Sequence, residues 1–437
     1  MATGADNSQR AGSSSRRQFL LHSAASLSAG LAPQAVSAAQ QNAAQQNNDK
    51  PLRVGLIGAG LRGTYLADTV VAMARAGEPV ELVAVCDIYQ PRLERAEAKF
   101  GAKGYAKSAD MLRDARLDAV IVATPDRHHV LNMLAAIRAG KDVYCEKPAS
   151  HWSQFDKLKA LVHENRKLGR MVQIGTQFLA DSVWEKSGEL IRNGEIGKPV
   201  HAQTCYFRRG DQGECGMKVD DPDAKPGVGV DWETFQADAP RRPFSASRLF
   251  QWRLYMDYSG GPLTDTYPHV VTPLFKALNP GLPEKVVAIG GRYYFDCGRD
   301  VPDTFDLLIQ YPQGLNVVVL GSFVNETRID TVIRGSDGTM IKKPEGMLFE
   351  PQGGVQKNRR ELPADIPARG EGHRELSVAH LKDFFQAVRS RKQPRSDLEL
   401  NYTVQTALIM AMRSHLTNRP VFFDRDKEEI SLGKGRS

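Results

Sequence analysis

The sequence predicts an α/β Rossmann domain with a parallel sheet, followed by an α+β domain with a large, mostly antiparallel sheet. Three observations carry this. From Leu52 to about Gly175, short apolar runs alternate with helical patterns at the spacing of βαβ units. The first run opens into Gly58-Ala59-Gly60-Leu61-Arg62-Gly63, a GxGxxG between a strand and a helix. After about Asp181 the pattern changes to long strand-like stretches without intervening helices, which suggests antiparallel pairing.

In chain order, strands are expected at 53–57, 81–86, 118–123, 142–145 and 171–174. Helical spacing separates them at 61–75, 91–100, 129–139 and 152–167, with Gly140 and Gly169 as stops. A helix at 183–193 leads into strands at 200–208, 286–295, 304–311, 315–323 and 330–334. Gly210 to Ser247 is rich in Gly, Pro and Asp and reads as a long irregular insertion. Helices at 373–389 and 402–416 close the chain.

Composition bounds the function. The 437 residues carry 58 Lys+Arg against 51 Asp+Glu, a net charge of +7. The cations are scattered rather than clustered, so no nucleic-acid partner is indicated. No apolar stretch approaches the roughly 20 residues that span a bilayer. Ser15-Arg16-Arg17-Gln18-Phe19-Leu20-Leu21, an Ala/Leu/Ser run and Val36-Ser37-Ala38 read together as a bacterial twin-arginine signal peptide over 1–38. Residues 39–50 read as a flexible tether, 51–178 as the dinucleotide-binding domain and 179–437 as the substrate domain. The expected address is therefore periplasmic or otherwise extracytoplasmic, with folding before export by the twin-arginine machinery. Of the five cysteines, Cys86 and Cys145 fall in apolar runs and read as buried thiols. Cys205 and Cys215 are a pair that an oxidising compartment would allow to bond.

In the glycine fingerprint, Gly58 permits the tight turn, Gly60 lets backbone approach a pyrophosphate, and Gly63 allows close helix packing. Leu61 and Arg62 open the helix, whose free N–H groups suit an anion. Asp87 ends the second strand, where its carboxylate can take the adenine-ribose hydroxyls and would repel a 2′-phosphate. NAD is thus favoured over NADP, with Arg62 and Arg92 able to soften that preference. No CxxC pair, HExxH or EF-hand spacing indicates a metal.

Two further segments sit at carboxyl ends of expected strands, the edge where open α/β sheets bind ligands. They are Ala123-Thr124-Pro125-Asp126-Arg127-His128-His129 and Glu146-Lys147-Pro148. A third, in the second domain, is Gly260-Gly261-Pro262-Leu263-Thr264-Asp265-Thr266-Tyr267-Pro268-His269. Together with the glycine fingerprint, these segments resemble the Gfo/Idh/MocA oxidoreductase family from about Leu52 to Phe423. The resemblance implies hydride transfer between NAD(P) and a sugar, polyol or cyclitol. It implies that Lys147 faces substrate, that His129 lies near the cofactor with Thr124, Pro125 and Glu146, and that Asp265 and His269 are the second-domain pair. The chain departs from the family pattern at Tyr267, where many members have Gly, and at Pro268. Pairing with a second copy through the second-domain sheet is also implied by the resemblance alone.

The chemistry suits these residue types. An ammonium such as that of Lys147 favours a developing alkoxide. A histidine such as His269 can accept a hydroxyl proton, with Asp265 orienting it or binding a sugar hydroxyl. The plainer readings are that Asp265 caps a helix, that His269 is a buried structural histidine, and that His128 is solvated or packed. Trp252, Arg253 and Tyr255 read as an aromatic and cationic wall, and Gln177 and Tyr267 as further substrate contacts. Three functions are consistent with the sequence. The first is an exported NAD-dependent oxidoreductase acting on a CH-OH group. The second is a glycoside hydrolase that oxidises its sugar transiently with resident NAD. The third is a non-catalytic sugar-binding protein.

Overall fold

The computed structural model describes residues 50–114, 116–210, 216–354, 358–366 and 372–433. The signal segment, residues 39–49 of the tether and Cys215 lie outside them. Strands β1 (Leu52–Ile57), β2 (Val80–Cys86), β3 (Lys103–Tyr105), β4 (Ala119–Val122), β5 (Asp142–Glu146) and β6 (Val172–Gly175) form one sheet, ordered β3-β2-β1-β4-β5-β6. All five pairings are parallel. Strands β4, β5 and β6 are buried along their whole length, which is why they read as short continuous apolar runs. Strand order reverses between β1 and β4, and a crevice opens there beyond the carboxyl ends of the strands.

Helices α1 (Leu61–Arg75), α2 (Gln90–Phe100), α3 (Ser108–Leu112), α4 (Asp126–Arg138) and α5 (Phe155–Leu168) connect the strands. Helix α5 ends at Gly169 in the left-handed conformation, φ 62°. One layer on this sheet comes from far along the chain. Leu381, Phe384, Phe385 and Val388, on a helix near the carboxyl end (Gly372–Ser390), share a core with Val54, Leu56, Leu66 and Val70. The first domain is thus completed by residues assigned from sequence order to the second.

The second region begins with α6 (Val183–Arg192) and β7 (Pro199–Phe207). A ten-stranded sheet follows, built from β7, β10 (Lys285–Gly291), β11 (Thr304–Tyr311), β12 (Leu315–Ser322), β13 (Val332–Gly335), β14 (Gly338–Lys343), β15 (Gly346–Pro351), β16 (Arg360–Pro363), β17 (Val421–Asp424) and β18 (Glu429–Leu432). Its pairings are antiparallel except β7 with β12. Strands β14 to β18 are absent from the sequence reading because they are short, glycine- and charge-bearing or half exposed. Phe305, Leu307 and Ile309 alternate inward on β11, whereas Leu308 points outward.

The insertion is ordered where it is described. Strands β8 (Lys225–Pro226) and β9 (Gly229–Val230) pair, and two short helices, α7 (Trp232–Gln236) and α8 (Ala246–Phe250), follow. Val230, Trp232, Phe235, Leu249, Phe250 and Tyr258 form a separate core that includes Tyr89 of the first domain. The remaining helices are α9 (Pro268–Leu278), α10 (Gly372–Ser390) and α11 (Leu398–Thr417).

No described helix is long and apolar enough to cross a membrane. Cys86, Cys145 and Cys205 are free and buried, whereas Cys297 is disulfide-bonded. The Cys205–Cys215 pairing is therefore corrected. Cys205 faces inward from β7, with its Sγ 3.1 Å from the Ile329 carbonyl oxygen.

Candidate active site

The turn between β1 and α1 is shaped by close approaches of backbone. Gly58 has φ +95°, and a Cβ there would lie 2.8 Å from the Ala123 carbonyl oxygen. A Cβ on Gly63 would lie 1.8 Å from the Gly58 carbonyl oxygen, so any side chain would push the helix off the turn. At Gly60 a Cβ would meet only Arg92 Nη1, at 3.8 Å. The N-cap of α1 is Gly60, which has no side chain to take the first N–H groups of the helix. This open cradle at a helix N-terminus fits a dinucleotide pyrophosphate.

Asp87 is buried at the end of β2. Its Oδ2 accepts the Ala59 N–H and its Oδ1 the Tyr89 N–H, each at 2.8 Å. Burial raises its pKa, against the opposing pull of Arg92 and these two N–H groups. The carboxylate therefore braces the glycine turn as well as bordering the cavity.

The second strand-end segment is a network. The Lys147–Pro148 peptide is cis. His129 Nδ1 lies 2.7 Å from the Pro148 carbonyl oxygen and its Nε2 lies 2.8 Å from that of Thr124. Burial lowers the His129 pKa to about 4, against the opposing effect of these two carbonyls. The ring ties the start of α4 to the Lys147 turn. Glu146 Oε1 accepts from Arg62 Nε at 2.9 Å and from Gln177 Nε2 at 3.1 Å. These bonds leave the Lys147 side chain directed at the second region. Its Nζ donates to Asp265 Oδ1 at 2.8 Å and to the Asp265 carbonyl oxygen at 2.6 Å.

Asp265 sits in a π-helical turn, Pro262–Thr266, that leads into α9. Its Oδ2 also accepts from Arg253 Nε at 3.3 Å. Burial would raise this carboxyl, but Lys147 and then Arg253 outweigh it and hold Asp265 well below the usual carboxylate range. His269 is half-buried, its ring tilted 5.9 Å from Phe178 and stacked 6.4 Å from Tyr206. Arg253 lies 4.1 Å over the Trp252 ring.

These elements enclose one cavity of about 1160 Å³. Gly58, Gly60, Leu61, Arg62, Asp87, Thr124, Pro125, His129, Glu146, Lys147, Gln177, Arg253 and His269 all border it. Gly63, Asp265 and Tyr267 do not. The Tyr267 ring is fully buried beneath the large sheet and its hydroxyl donates to the Phe305 carbonyl, so it is a core residue rather than a substrate contact. His128 borders the cavity too, with its Nε2 2.7 Å from the Phe235 carbonyl oxygen. Tyr255 bonds Ser247 at 2.8 Å and lies under Arg248. Among the described residues, no group of three His, Cys, Asp or Glu is placed to hold a metal.

Sequence reasoning missed Asp126, Phe178 and Tyr206, which border the same cavity. Asp126 carries a signal in hindsight: it is an acidic residue directly after the Pro that starts a helix at the ligand edge. Phe178 and Tyr206 carry none, because only the tertiary fold brings them to His269. The insertion closes the far end of the cavity. Asp220 pairs with Arg92 at 2.6 Å and Tyr89 OH donates to Asp221 at 3.0 Å.

A family model described as "Oxidoreductase family, NAD-binding Rossmann fold" matches residues 52–176. Another, "GFO/IDH/MocA C-terminal domain", matches residues 184–341. The chain belongs to the Gfo/Idh/MocA family. Inositol 2-dehydrogenase 3 of Saccharopolyspora erythraea is 35% identical over 157 residues, 36% of this chain and 45% of that protein. Myo-inositol 2-dehydrogenase of Thermotoga maritima is 30% identical over 150 residues, 34% of this chain and 43% of that protein. The chain thus spans a little under half the length of these curated relatives. Solved structures show the same fold. An NAD binding oxidoreductase from Klebsiella pneumoniae is 20% identical, with TM-score 0.64 over 85% of this chain and 98% of that one. Levoglucosan dehydrogenase in complex with NADH is 19% identical, with TM-score 0.65 over 85% of this chain and 99% of that one. The matched model makes the first domain an NAD-binding Rossmann fold.

Proposed function

We propose that this chain is an exported NAD-dependent oxidoreductase that moves hydride between its cofactor and a secondary hydroxyl of a sugar, polyol or cyclitol. The carrying observation is the Lys147 ammonium. It borders the cavity at the sheet edge that bears the glycine turn and is fixed by Asp265 of the second region. Inositol and levoglucosan dehydrogenases among the similar proteins support the substrate class.

Bound NAD would lie along Gly58–Gly63 with its adenosine toward Asp87, and would supply the hydride acceptor. The chain's own residues do the rest. Lys147 stabilises alkoxide character on the substrate oxygen, and Asp265 keeps that lysine aimed. Phe178, Tyr206 and Trp252 offer apolar faces to a carbohydrate ring. His269 borders the cavity as a group able to exchange the hydroxyl proton. Export is supported by the twin-arginine sequence and by the Cys297 disulfide, a bond that persists in oxidising compartments. Outward-facing Val287, Ile289 and Leu308 support pairing with a second copy.

The Asp220–Arg92 and Asp221–Tyr89 contacts favour retention of NAD through turnover. They also support the second reading, hydrolysis by transient sugar oxidation, in which the hydride is returned. Dialysed protein mixed with polyols, sugars and aryl glycosides without added cofactor tests both. Accumulating NADH absorbance is expected of the dehydrogenase, and aglycone release without net NADH is expected of the hydrolase. Protein that emerges empty and reacts only with millimolar added NAD contradicts retention.

A further inference from the structure

Arg92, in the first turn of α2, is held between two rings and a carboxylate at the Asp87 end of the cavity. Its guanidinium carbon lies 5.8 Å from the Tyr89 ring centre and 5.1 Å from that of Phe250. Its Nε and Nη2 both donate to Asp220 Oδ2, at 3.0 and 2.6 Å. Its Nη1 lies 3.8 Å from where a Gly60 Cβ would stand, so the guanidinium also reaches the glycine turn. Arg92, Asp87 and Asp220 all border the cavity. The Arg92 side chain is 21% exposed and that of Asp220 35%, so a ligand has access to both.

The fold brings Asp220 to this place from 128 residues away. Val230 of the insertion bridges to Tyr89, and the Asp231 N–H donates to the Ile88 carbonyl at 3.2 Å. The insertion is therefore joined by backbone to the two residues that directly follow Asp87. Tyr89 and Phe250 pack edge to face at 5.3 Å in the core that the insertion shares with the first domain. Tyr89 OH then donates to Asp221, next to Asp220.

A dinucleotide on the glycine turn with its adenosine toward Asp87 brings its ribose to this end of the cavity. NADP differs from NAD there by a 2′-phosphate, which carries about two negative charges. Such a group is best met by a planar guanidinium fixed in place, and Arg92 has that form. Asp220 already occupies it. A 2′-phosphate must displace one carboxylate from Arg92 while approaching a second, Asp87, whose oxygens brace the Ala59 and Tyr89 N–H groups. A ribose hydroxyl requires neither. We propose that Asp220 is a specificity-determining residue: by occupying Arg92 it withholds the cation that a 2′-phosphate needs. The insertion thus sets the choice of NAD over NADP together with Asp87. The assignment rests on the cofactor placement proposed above, and on neither the substrate nor the reaction.

A competition experiment on the full chain tests this. Protein as purified is brought to equilibrium with equal, excess concentrations of NAD and NADP, and the bound nucleotide is read by native mass spectrometry. The ratio of bound NADP to bound NAD is the readout, and no turnover is needed. In Asp220→Asn this ratio rises about tenfold or more, because a charge-assisted contact becomes available. A merely structural role for Asp220 would weaken both cofactors alike and leave the ratio where it was. Asp221→Asn removes the same charge from the same segment but touches Tyr89 instead, so its ratio rises less than about threefold. Arg92→Gln added to Asp220→Asn cancels the gain. An unchanged ratio in Asp220→Asn, an equal rise in Asp221→Asn, or a gain that survives Arg92→Gln overturns the assignment. A parent that binds neither nucleotide overturns the cofactor placement, and this assignment with it.

Discussion

At Gly58–Gly63 the surface offered to a ligand is backbone, whereas around Gly260–His269 it is side chain. The first turn sits between a strand and a helix that follow each other directly, and each glycine has a distance that explains it. The second is assembled across the chain: Lys147 reaches Asp265 over 118 residues, and His269 meets Phe178 and Tyr206. A backbone site fails when a Cβ is added. A side-chain site fails when a charge is removed. The first is set by local sterics and the second by electrostatics in a buried cleft.

That contrast is most sharply broken at Gly63. Gly63→Ala places a methyl 1.8 Å from the Gly58 carbonyl oxygen, too close for the turn to survive. The expected variant is purified without NAD and is destabilised by about 3 kcal/mol, measured by denaturant unfolding. Lys147→Met probes the other kind of site. It should retain NAD, while turnover falls about 100-fold or more for loss of one electrostatic stabiliser. Its stability should also fall, because Asp265 loses one of its two ion-pair partners among the described residues. Near-parent turnover would remove Lys147 from the mechanism.

Asp87→Ala lies between the two, since a side chain there braces backbone. Losing the bonds to Ala59 and Tyr89 should weaken NAD about tenfold and narrow the preference against NADP, read by titration of stripped protein. Identical affinities for both cofactors in parent and variant would place the ribose elsewhere. The smallest effect is expected at Asp220→Asn. Its half-exposed pair with Arg92 is worth about 0.5 kcal/mol, so NAD release should quicken only two- to threefold in a dilution experiment.

The same contrast explains what the sequence reveals. The parallel sheet, the glycine turn and Asp87 were legible because the spacing is local and each residue type has one steric reason. Lys147, Asp265 and His269 were found through a motif resemblance, and their contacts confirm proximity that no periodicity encodes. Tyr267 was misread because nothing local tells an inward ring from a cavity-facing one, and its hydroxyl is taken up by Phe305 on a distant strand. Helix α10 joined the first core for a similar reason: its apolar face carries no label of its destination.

The central claim is that one cavity brings NAD and the Lys147–Asp265 pair to the same substrate carbon. A crystal structure with NAD and an oxidisable polyol tests it most directly. The account predicts a substrate hydroxyl within hydrogen-bond reach of Lys147 Nζ, with its carbon about 3–3.5 Å from the nicotinamide C4. A nicotinamide turned away from Lys147, or a polyol bound outside this cavity, would contradict it.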